Sequence, residues 1–187
     1  MQVGLRLMTQ ETEIIRRVLE GDIESFRFLL ARYEKPVIRM VREITHNTES
    51  CEDIAQEVFL TAYKKLASFN RARSSFSTWL FTIARNKSLN ELKKKKPVPI
   101  SKPPEKRNPN NPSDDMTKKE FYDRLDKTLQ ALPSRQRRAF ILAEFEKLSY
   151  AEIAQIEGTR IGTIKSRINR AKVKLRKALE EFTGDVV

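Results

Sequence analysis

Apolar residues recur along this chain at the three- and four-residue spacing of an amphipathic helix, with polar residues between them. One series runs from Ile15 to Tyr33, a second from Ile54 to Phe69, and a third from Phe76 to Ala84. No run of four to eight residues alternates cleanly between apolar and polar positions, as a half-buried strand would. The pattern therefore predicts an all-α fold.

The same pattern predicts four helices in each half of the chain. In the first half they span about 11–32, 36–46, 50–67 and 76–95, and in the second half about 117–131, 134–147, 150–157 and 161–181. Pro36 and Pro133 are expected at helix starts, because a helix tolerates proline in its first turn.

A segment of different composition, residues 97–116, separates the two halves. It reads PVPISKPPEKRNPNNPSDDM and holds six of the eight prolines of the chain. Such a stretch neither carries a helix nor buries much surface, so we expect an extended linker. The chain then consists of an N-terminal domain, residues 1–96, and a C-terminal domain, residues 117–187, both of them small.

Composition excludes several classes of protein. The 187 residues include one cysteine, Cys51, and one histidine, His46, so neither a disulfide framework nor a multi-cysteine or histidine-based metal site is expected. No cofactor is implied, and catalysis by Cys/His or Ser/His groups is not expected. No apolar run approaches the roughly 18 residues of a membrane helix, and acids interrupt the N-terminus where a signal peptide is apolar. We expect a cytoplasmic protein that does not associate with membranes.

The formal net charge of +12 comes from two short segments. Residues 71–96 carry eight basic residues and one acid, for +7, and residues 158–177 carry eight basic residues and no acid, for +8. The remaining residues are therefore slightly acidic. Evenly solvated lysines do not cluster in this way, and the two basic patches indicate a polyanion, most simply nucleic acid, as partner.

The segment LSYAEIAQIEGTRIGTIKSRINRAKVKLRKAL carries a helix-turn-helix pattern. Ser149 and Glu152 fit a capping box at the start of a short helix, and Gly158 supplies a tight turn before a second helix. At about 100° per residue, the apolar residues of the second helix form one stripe that must face the core. They are Ile161, Ile164, Ile168, Ala171, Leu175 and Leu179.

The opposite face of this second helix is polar and basic. It presents Thr163, Ser166, Asn169, Arg170, Lys174 and Lys177, with Lys165, Arg167 and Lys172 toward the flanks. Asn and Arg bond base edges in pairs, and flanking cations neutralise phosphates, so the face suits a DNA major groove. A solvated basic helix or a membrane-surface helix is the alternative interpretation. Val173 also points outward, and a thymine methyl group is the one contact that the sequence suggests for it.

The basic patch of the first half combines a polar, cationic loop, Asn70 to Ser75, with a helix that ends in four lysines. Trp79, Thr82, Asn86 and Asn90 form a stripe beside the core face of this helix. An aromatic ring followed by hydrogen-bonding side chains suits bases that have left the duplex stack. Trp79 is either such a stacking platform or a core residue. The lysines are either phosphate anchors or a helix end favoured by the macrodipole.

An acidic and amide surface precedes this patch. Glu52, Asp53, Gln56 and Glu57 share one side of a predicted helix whose other side carries Ile54, Val58 and Phe59. Because such a surface repels nucleic acid, it is either an ordinary solvated face or the docking face for a protein with complementary basic residues.

Four stretches of the chain resemble bacterial RNA polymerase sigma factors of the extracytoplasmic-function (ECF) type, in family order and spacing. They are DIAQEVFLTAYKKLASF, FSTWLFTIARNKSLNELKKKK, LPSRQRRAFILAEFEKLSYAEIA and GTIKSRINRAKVKLRKAL. The resemblance covers nearly the whole chain outside the linker. It implies that the N-terminal domain is sigma region 2 and the C-terminal domain is sigma region 4. It also implies that the protein makes no bond itself but gives promoter choice and strand opening to core RNA polymerase.

The resemblance also implies site residues and partners. The helix with Asp53, Gln56, Glu57 and Phe59 would dock on the β′ clamp helices of the polymerase. The protein would also contact the β flap of the polymerase. The residues that would open the minus-10 element and hold a flipped non-template base are Asn70, Arg71, Arg73, Ser74, Trp79, Thr82, Asn86, Lys93 and Lys94. Those that would read the minus-35 duplex are Arg160, Thr163, Lys165, Ser166, Arg167, Asn169, Arg170, Lys172 and Lys174. The linker would run through the polymerase, and an anti-sigma factor would cover the two domains.

One departure from the family pattern lies at the start of the second helix of the helix-turn-helix. Family members often have a proline between two hydrophobic residues there, whereas this chain has Thr159, Arg160 and Ile161. Two other functions remain open. A stand-alone helix-turn-helix regulator would bind a two-fold symmetric operator, and an enzyme acting on nucleic acid would need a carboxylate cluster or nucleophile that we do not find.

Overall fold

The computed structural model describes residues 2–45, 50–94 and 116–183, which are helical apart from short connections. The first compact unit contains α1 (Gln2–Leu19), α2 (Phe26–Thr45), α3 (Cys51–Lys64) and α4 (Phe76–Lys94). The second contains α5 (Met116–Ala131), α6 (Ser134–Glu144), most of α7 (Tyr150–Glu157), α8 (Ile161–Ala178) and α9 (Glu180–Thr183). The predicted all-α class is confirmed. His46 and most of the predicted linker, residues 97–115, lie outside the described residues.

The predicted helix over residues 11–32 is wrong, because the chain breaks between α1 and α2. Gly21 adopts a φ of +106°, which is a left-handed conformation. The Gly21 N–H donates a hydrogen bond to the Val18 carbonyl (3.1 Å), and the Asp22 N–H donates one to the Arg17 carbonyl (3.0 Å). These two bonds form the Schellman motif that ends many helices. The Asp22 carboxylate then accepts bonds from the Ser25 N–H (3.2 Å) and hydroxyl (2.7 Å), and these start a 3-10 turn at Ile23–Ser25.

The predicted helix start at Pro36 is also wrong, because Pro36 lies inside α2. A proline there removes one backbone hydrogen bond and costs about 3 kcal/mol in an unsupported helix. Tyr33, Val37 and Val41 are buried on both sides of it. The burial of this face of α2 offsets the local cost and keeps one helix through the proline.

Helix α2 is the centre of the first unit and packs against α1, α3 and α4. Its Tyr33 ring lies against Phe76 of α4 (5.6 Å between ring centroids). The Tyr33 hydroxyl donates to Glu11 of α1 (2.5 Å), and Glu11 also pairs with Arg32 (3.0 Å). Burial and this carboxylate raise the pKa of Tyr33. The contacts fix α4, which carries one of the predicted sites.

Helix α8 packs against α6 and α5 in the second unit. Leu132, Ala171 and Leu175 are buried there, with Leu125, Leu129 and Phe140 packed against them. Pro133 directly precedes α6, as predicted. Arg137 of α6 is buried and donates to the carbonyls of Gln130 (2.8 Å) and Leu129 (3.3 Å), so it caps the end of α5.

Helix α6 ends at Glu144 and α8 at Ala178, three residues before their predicted ends. Among the described ranges, none of the helices has the length and apolarity that a bilayer crossing requires.

Candidate nucleic-acid interface

The helix-turn-helix predicted from the sequence is present in α7 and α8. The N–H of Ser149 donates to the Glu152 carboxylate (2.9 Å), and the N–H of Glu152 donates to the Ser149 hydroxyl (3.3 Å). This is the predicted capping box. Gly158 has a φ of +60°, and the N–H of Thr159 bonds the carbonyl of Ala154 (3.0 Å), which closes α7.

Four buried residues, Ile164, Ile168, Ala171 and Leu175, fix the rotation of α8 about its axis. They belong to the predicted apolar stripe. Ile161 does not share their burial: its side chain is 53% exposed in the first turn of α8, so its predicted core position is wrong. The stripe fails at this end because Ile161 is the first residue of α8 and lies about 50° around the helix from the centre of the four buried residues. Leu179 follows α8 as its C-cap and is only partly buried.

The outward face of α8 carries most of the residues predicted to read the minus-35 duplex. Arg160, Lys165, Ser166, Asn169, Arg170 and Lys174 are exposed, and Thr163 and Arg167 are partly exposed. Arg160 is the residue before α8, and its side chain makes no capping hydrogen bond there.

Lys172, one of the predicted minus-35 residues, is paired within its own unit. Its ammonium lies 2.7 Å from the Glu144 carboxylate at the end of α6. The hydrogen bond that Lys172 donates to Glu144 raises the pKa of Lys172. Its charge is thus balanced by an acid, and its side chain marks the edge of the basic face that lies toward α6.

The loop before α4 is held by Asn70. The side-chain oxygen of Asn70 accepts a bond from the N–H of Ala72 (2.9 Å), and its backbone carbonyl accepts one from the N–H of Arg73 (3.0 Å). Asn70 therefore shapes the loop as well as lying in it. Arg71 and Arg73 are exposed, and Ser74 is partly exposed.

Ser75 starts α4, a role that the sequence analysis missed. Its hydroxyl accepts from the N–H of Thr78 (3.3 Å) and lies 2.8 Å from the Thr78 hydroxyl. The sequence signal was a serine three residues before a threonine, at the start of an apolar helix. This cap sets where Trp79 lies in the first turns of α4.

Trp79 lies at the rim of the first unit, between the two predicted alternatives of core and stacking platform. It is partly exposed, and its ring packs against Phe69 (5.3 Å between centroids) and Phe76 (5.7 Å). Further along the stripe, the Thr82 hydroxyl donates to the carbonyl of Thr78 (2.7 Å). Asn86 is exposed, as are the helix-end residues Lys93 and Lys94.

The predicted acidic and amide surface is present on α3. Asp53, Gln56 and Glu57 are exposed there, and Glu57 lies 3.1 Å from the ammonium of Lys87 on α4. Phe59, which the resemblance includes among the docking residues, is only 6% exposed. Its burial in the core leaves little of its ring for contact with a partner.

Beside this surface an open groove of about 650 Å³ runs between α2 and α3, and Phe59 lines it. The groove also exposes apolar side chains that the sequence analysis did not single out as a site: Ile23, Leu30 and Leu60. The sequence signal that could have identified them is an apolar residue at a position where the helical pattern places the side chain toward solvent. Within the described ranges, no cluster of three or more His, Cys, Asp or Glu side chains is arranged to hold a metal ion.

Known proteins resemble this chain in both halves. The Sigma-70 region 2 family matches residues 29–98, and the Sigma-70 region 4 family matches residues 122–175. The RNA polymerase sigma-H factor of Pseudomonas aeruginosa is 32% identical over 183 residues, covering 91% of this chain and 94% of that protein. The chain belongs to the ECF class of the sigma-70 family. The predicted class of function, promoter-directed transcription initiation, is therefore confirmed, and a stand-alone regulator is not favoured.

Two further ECF sigma factors show similar likeness. SigW of Bacillus subtilis is 30% identical, covering 90% of this chain and 96% of that protein, and sigma-E of Escherichia coli is 33% identical, covering 85% and 88%. Sigma factors of this family are not enzymes in general. Among solved structures, the sigma factor RpoE of Bartonella quintana in complex with the anti-sigma factor NepR matches with a TM-score of 0.61. The match has 27% identity and covers 84% of this chain and 98% of that chain.

Proposed function

We propose that this ECF sigma factor docks on core RNA polymerase through its first unit and reads promoters with both units. Residues 1–96 form the region 2 domain, residues 97–116 the linker and residues 117–187 the region 4 domain. The observation that supports this most is the presence of two basic surfaces of different chemistry on separate units. One is a regular helix face, and the other combines a loop with a partly exposed aromatic ring.

The minus-35 element is read as duplex by α8. A B-DNA major groove is about 12 Å wide and admits one helix, and the four buried residues of α8 hold its polar face outward. Asn169 and Arg170 contact base edges, because their side chains form paired hydrogen bonds. Lys165, Arg167 and Lys174 bind phosphates. Lys172 contributes less, because Glu144 already balances its charge.

The minus-10 element is opened and held by the surface around Trp79. A base that leaves the duplex exposes its π-face, and stacking on an aromatic side chain stabilises it by about 1–3 kcal/mol. Trp79 offers such a ring, which packs against Phe69 and Phe76. Arg71 and Arg73, in the adjacent loop, bind the phosphates of the displaced strand.

The polymerase docks on the acidic face of α3. Exposed Asp53, Gln56 and Glu57 complement a basic surface such as the β′ clamp helices, and the second unit contacts the β flap. The protein makes no bond itself and acts in the cytoplasm, where the polymerase is. An anti-sigma factor controls it, by analogy with the complex of the Bartonella quintana relative.

Co-elution with core polymerase tests this proposal. On gel filtration the chain alone should run as a monomer and bind a promoter weakly, whereas with core polymerase it should elute as one complex that binds the promoter. Asp53→Lys should weaken the complex, because it reverses one charge of the docking face. Glu13→Lys reverses an exposed charge on α1 and should not. A homodimer that binds a symmetric operator without polymerase would contradict the proposal.

A further inference from the structure

The outward face of α8 contains one apolar residue, Val173, among polar and basic neighbours. Its side chain is 56% exposed. At about 100° per residue it lies opposite the centre of the buried stripe formed by Ile164, Ile168, Ala171 and Leu175. Ser166 precedes it by seven residues, or about two helical turns, and so lies in nearly the same direction. Val173 therefore belongs to the surface that faces the duplex in the proposed function.

Valine at this position does little for the fold. A β-branched side chain lowers helix propensity relative to lysine, arginine or alanine. More than half of the Val173 surface remains in water, so its burial in the domain core is slight. Its neighbours Lys172 and Lys174 are the good helix formers expected on an exposed face. A ligand that covered Val173 would remove this exposed apolar surface from water, which is favourable.

We propose that Val173 contacts the C5-methyl group of a thymine in the minus-35 duplex and so adds to the promoter preference of this sigma factor. This inference rests on the proposed reading of that duplex by α8. In the major groove the base edges present hydrogen-bond donors and acceptors, and the thymine methyl is the apolar group among them. A valine side chain among Asn169, Arg170 and Lys174 cannot satisfy those donors and acceptors, but it can cover a methyl group.

The spacing along α8 predicts where the thymine lies. Val173 is about 10 Å along the helix axis from Ser166 and about 5 Å from Arg170, at 1.5 Å per residue. Base pairs are spaced by about 3.4 Å. The thymine should therefore lie about one or two base pairs from the base that Arg170 reads, on the side away from Ser166.

Replacing thymine by deoxyuridine tests the contact, because it removes the methyl group and leaves the hydrogen-bonding edge unchanged. The probe is a promoter that reconstituted holoenzyme selects from a library with a randomised minus-35 element. Each thymine of the selected element is replaced in turn, and closed complexes are titrated at low temperature. Burial of one methyl group corresponds to about fourfold in affinity. We expect wild type to lose about that factor at one thymine, in the predicted position.

Val173→Ala should bind the thymine duplex about as weakly as wild type binds the deoxyuridine duplex, and it should no longer distinguish the two. Alanine favours a helix, so this variant should fold. Ile161→Ala removes the other exposed apolar side chain of α8, about 120° around the helix from Val173. It is the matched control and should keep the wild-type response to deoxyuridine.

Three outcomes would overturn the proposal: equal binding of all deoxyuridine duplexes by wild type, an unchanged response in Val173→Ala, or a selected element without thymine in the predicted position. Arg170→Ala separates these outcomes from failure of the proposed function. If it weakens binding of the selected element and relaxes the preference at one base pair, α8 reads the duplex even where Val173 does not contact a methyl group. If Arg170→Ala has no effect, duplex reading by α8 itself is wrong.

Discussion

Among single residues, Asp22 makes hydrogen bonds that stabilise the fold, and this stabilisation depends on pH. It accepts bonds from the Ser25 hydroxyl and N–H and from Arg17 (2.8 Å). The Ser25 hydroxyl, followed by the Ser25 N–H and Arg17, holds the pKa of Asp22 below its usual value of 3.8. Because the pKa is lower in the folded state, the stabilisation is present above pH 3.8 and disappears as the pH falls through the folded-state value.

Asp22→Ala should lower the thermal unfolding temperature at pH 7, because it removes the bonds that start the 3-10 turn and α2. The difference from wild type should shrink as the pH falls from 3.8 through the lower pKa that Asp22 has in the folded state. Thermal melts followed by circular dichroism, at pH 7 and at a pH below 3.8, measure this difference. Glu24→Gln is the control, because the Glu24 carboxylate is exposed and lies 3.9 Å from Arg27. A constant difference between wild type and Asp22→Ala across this pH range would show that ionised Asp22 does not stabilise the fold.

Lys172 and Lys174 show what the sequence could predict of the site at this scale. Both lie in one basic helix, and the helical pattern predicts both near the duplex. The structure places Lys172 against Glu144, 28 positions earlier, and leaves Lys174 exposed. Helical periodicity gives the direction of a side chain but not its partner from another helix, so this difference could not be predicted.

At the scale of elements, α4 joins the aromatic ring of Trp79 to the core of the first unit. Trp79→Ala should abolish promoter opening while leaving polymerase binding near wild type, because it removes the partly exposed ring on which a base would stack. Fluorescence of 2-aminopurine in the minus-10 element measures opening, and gel filtration measures binding. Trp79→Phe keeps an aromatic face and should retain part of the opening. Normal opening by Trp79→Ala would assign Trp79 to packing alone.

A second element-scale feature is the ion pair between α3 and α4. Lys87 lies 3.1 Å from Glu57, which belongs to the proposed docking face. Lys87→Gln should tighten polymerase binding, because Glu57 then has its full charge for a basic partner. An exposed pair contributes at most about 1 kcal/mol, so the gain should stay within about fivefold. Affinity titration at low salt measures it. Lys64→Gln, on the same unit, is the control; a weaker complex with Lys87→Gln would mean that Lys87 itself contacts the polymerase.

The boundaries of α1, α2 and α7 show where sequence patterns succeed for elements. Ser149 and Glu152 predicted the start of α7 correctly, because a capping box is a local pattern with its own hydrogen bonds. Gly21 and Asp22 carried a similar local signal, but the apolar series continued across them and hid the break. Pro36 was misleading because tertiary packing on α2 outweighs a local preference.

At the scale of the whole molecule, the distribution of charge is the property that the sequence predicts best. The net charge of +12 divides into segments of +7 and +8 over a slightly acidic remainder. In the structure the second segment covers the outward face of α8, and exposed acids of the remainder form the face on α3. The groove beside Phe59 was not predicted, because its side chains come from separate helices whose packing the sequence alone does not give.

Transcription by reconstituted holoenzyme shows whether this chain directs promoter selection. Core polymerase with the purified chain should transcribe a defined set of genomic promoters that share a minus-35 and a minus-10 element, and core polymerase alone should not. Arg170→Ala should reduce transcription from those promoters. The reduction should be smallest at promoters whose transcription depends least on the minus-35 element. Equal transcription with and without the chain, or initiation at positions with no shared element, would contradict the assignment of this chain as a promoter-selecting sigma factor.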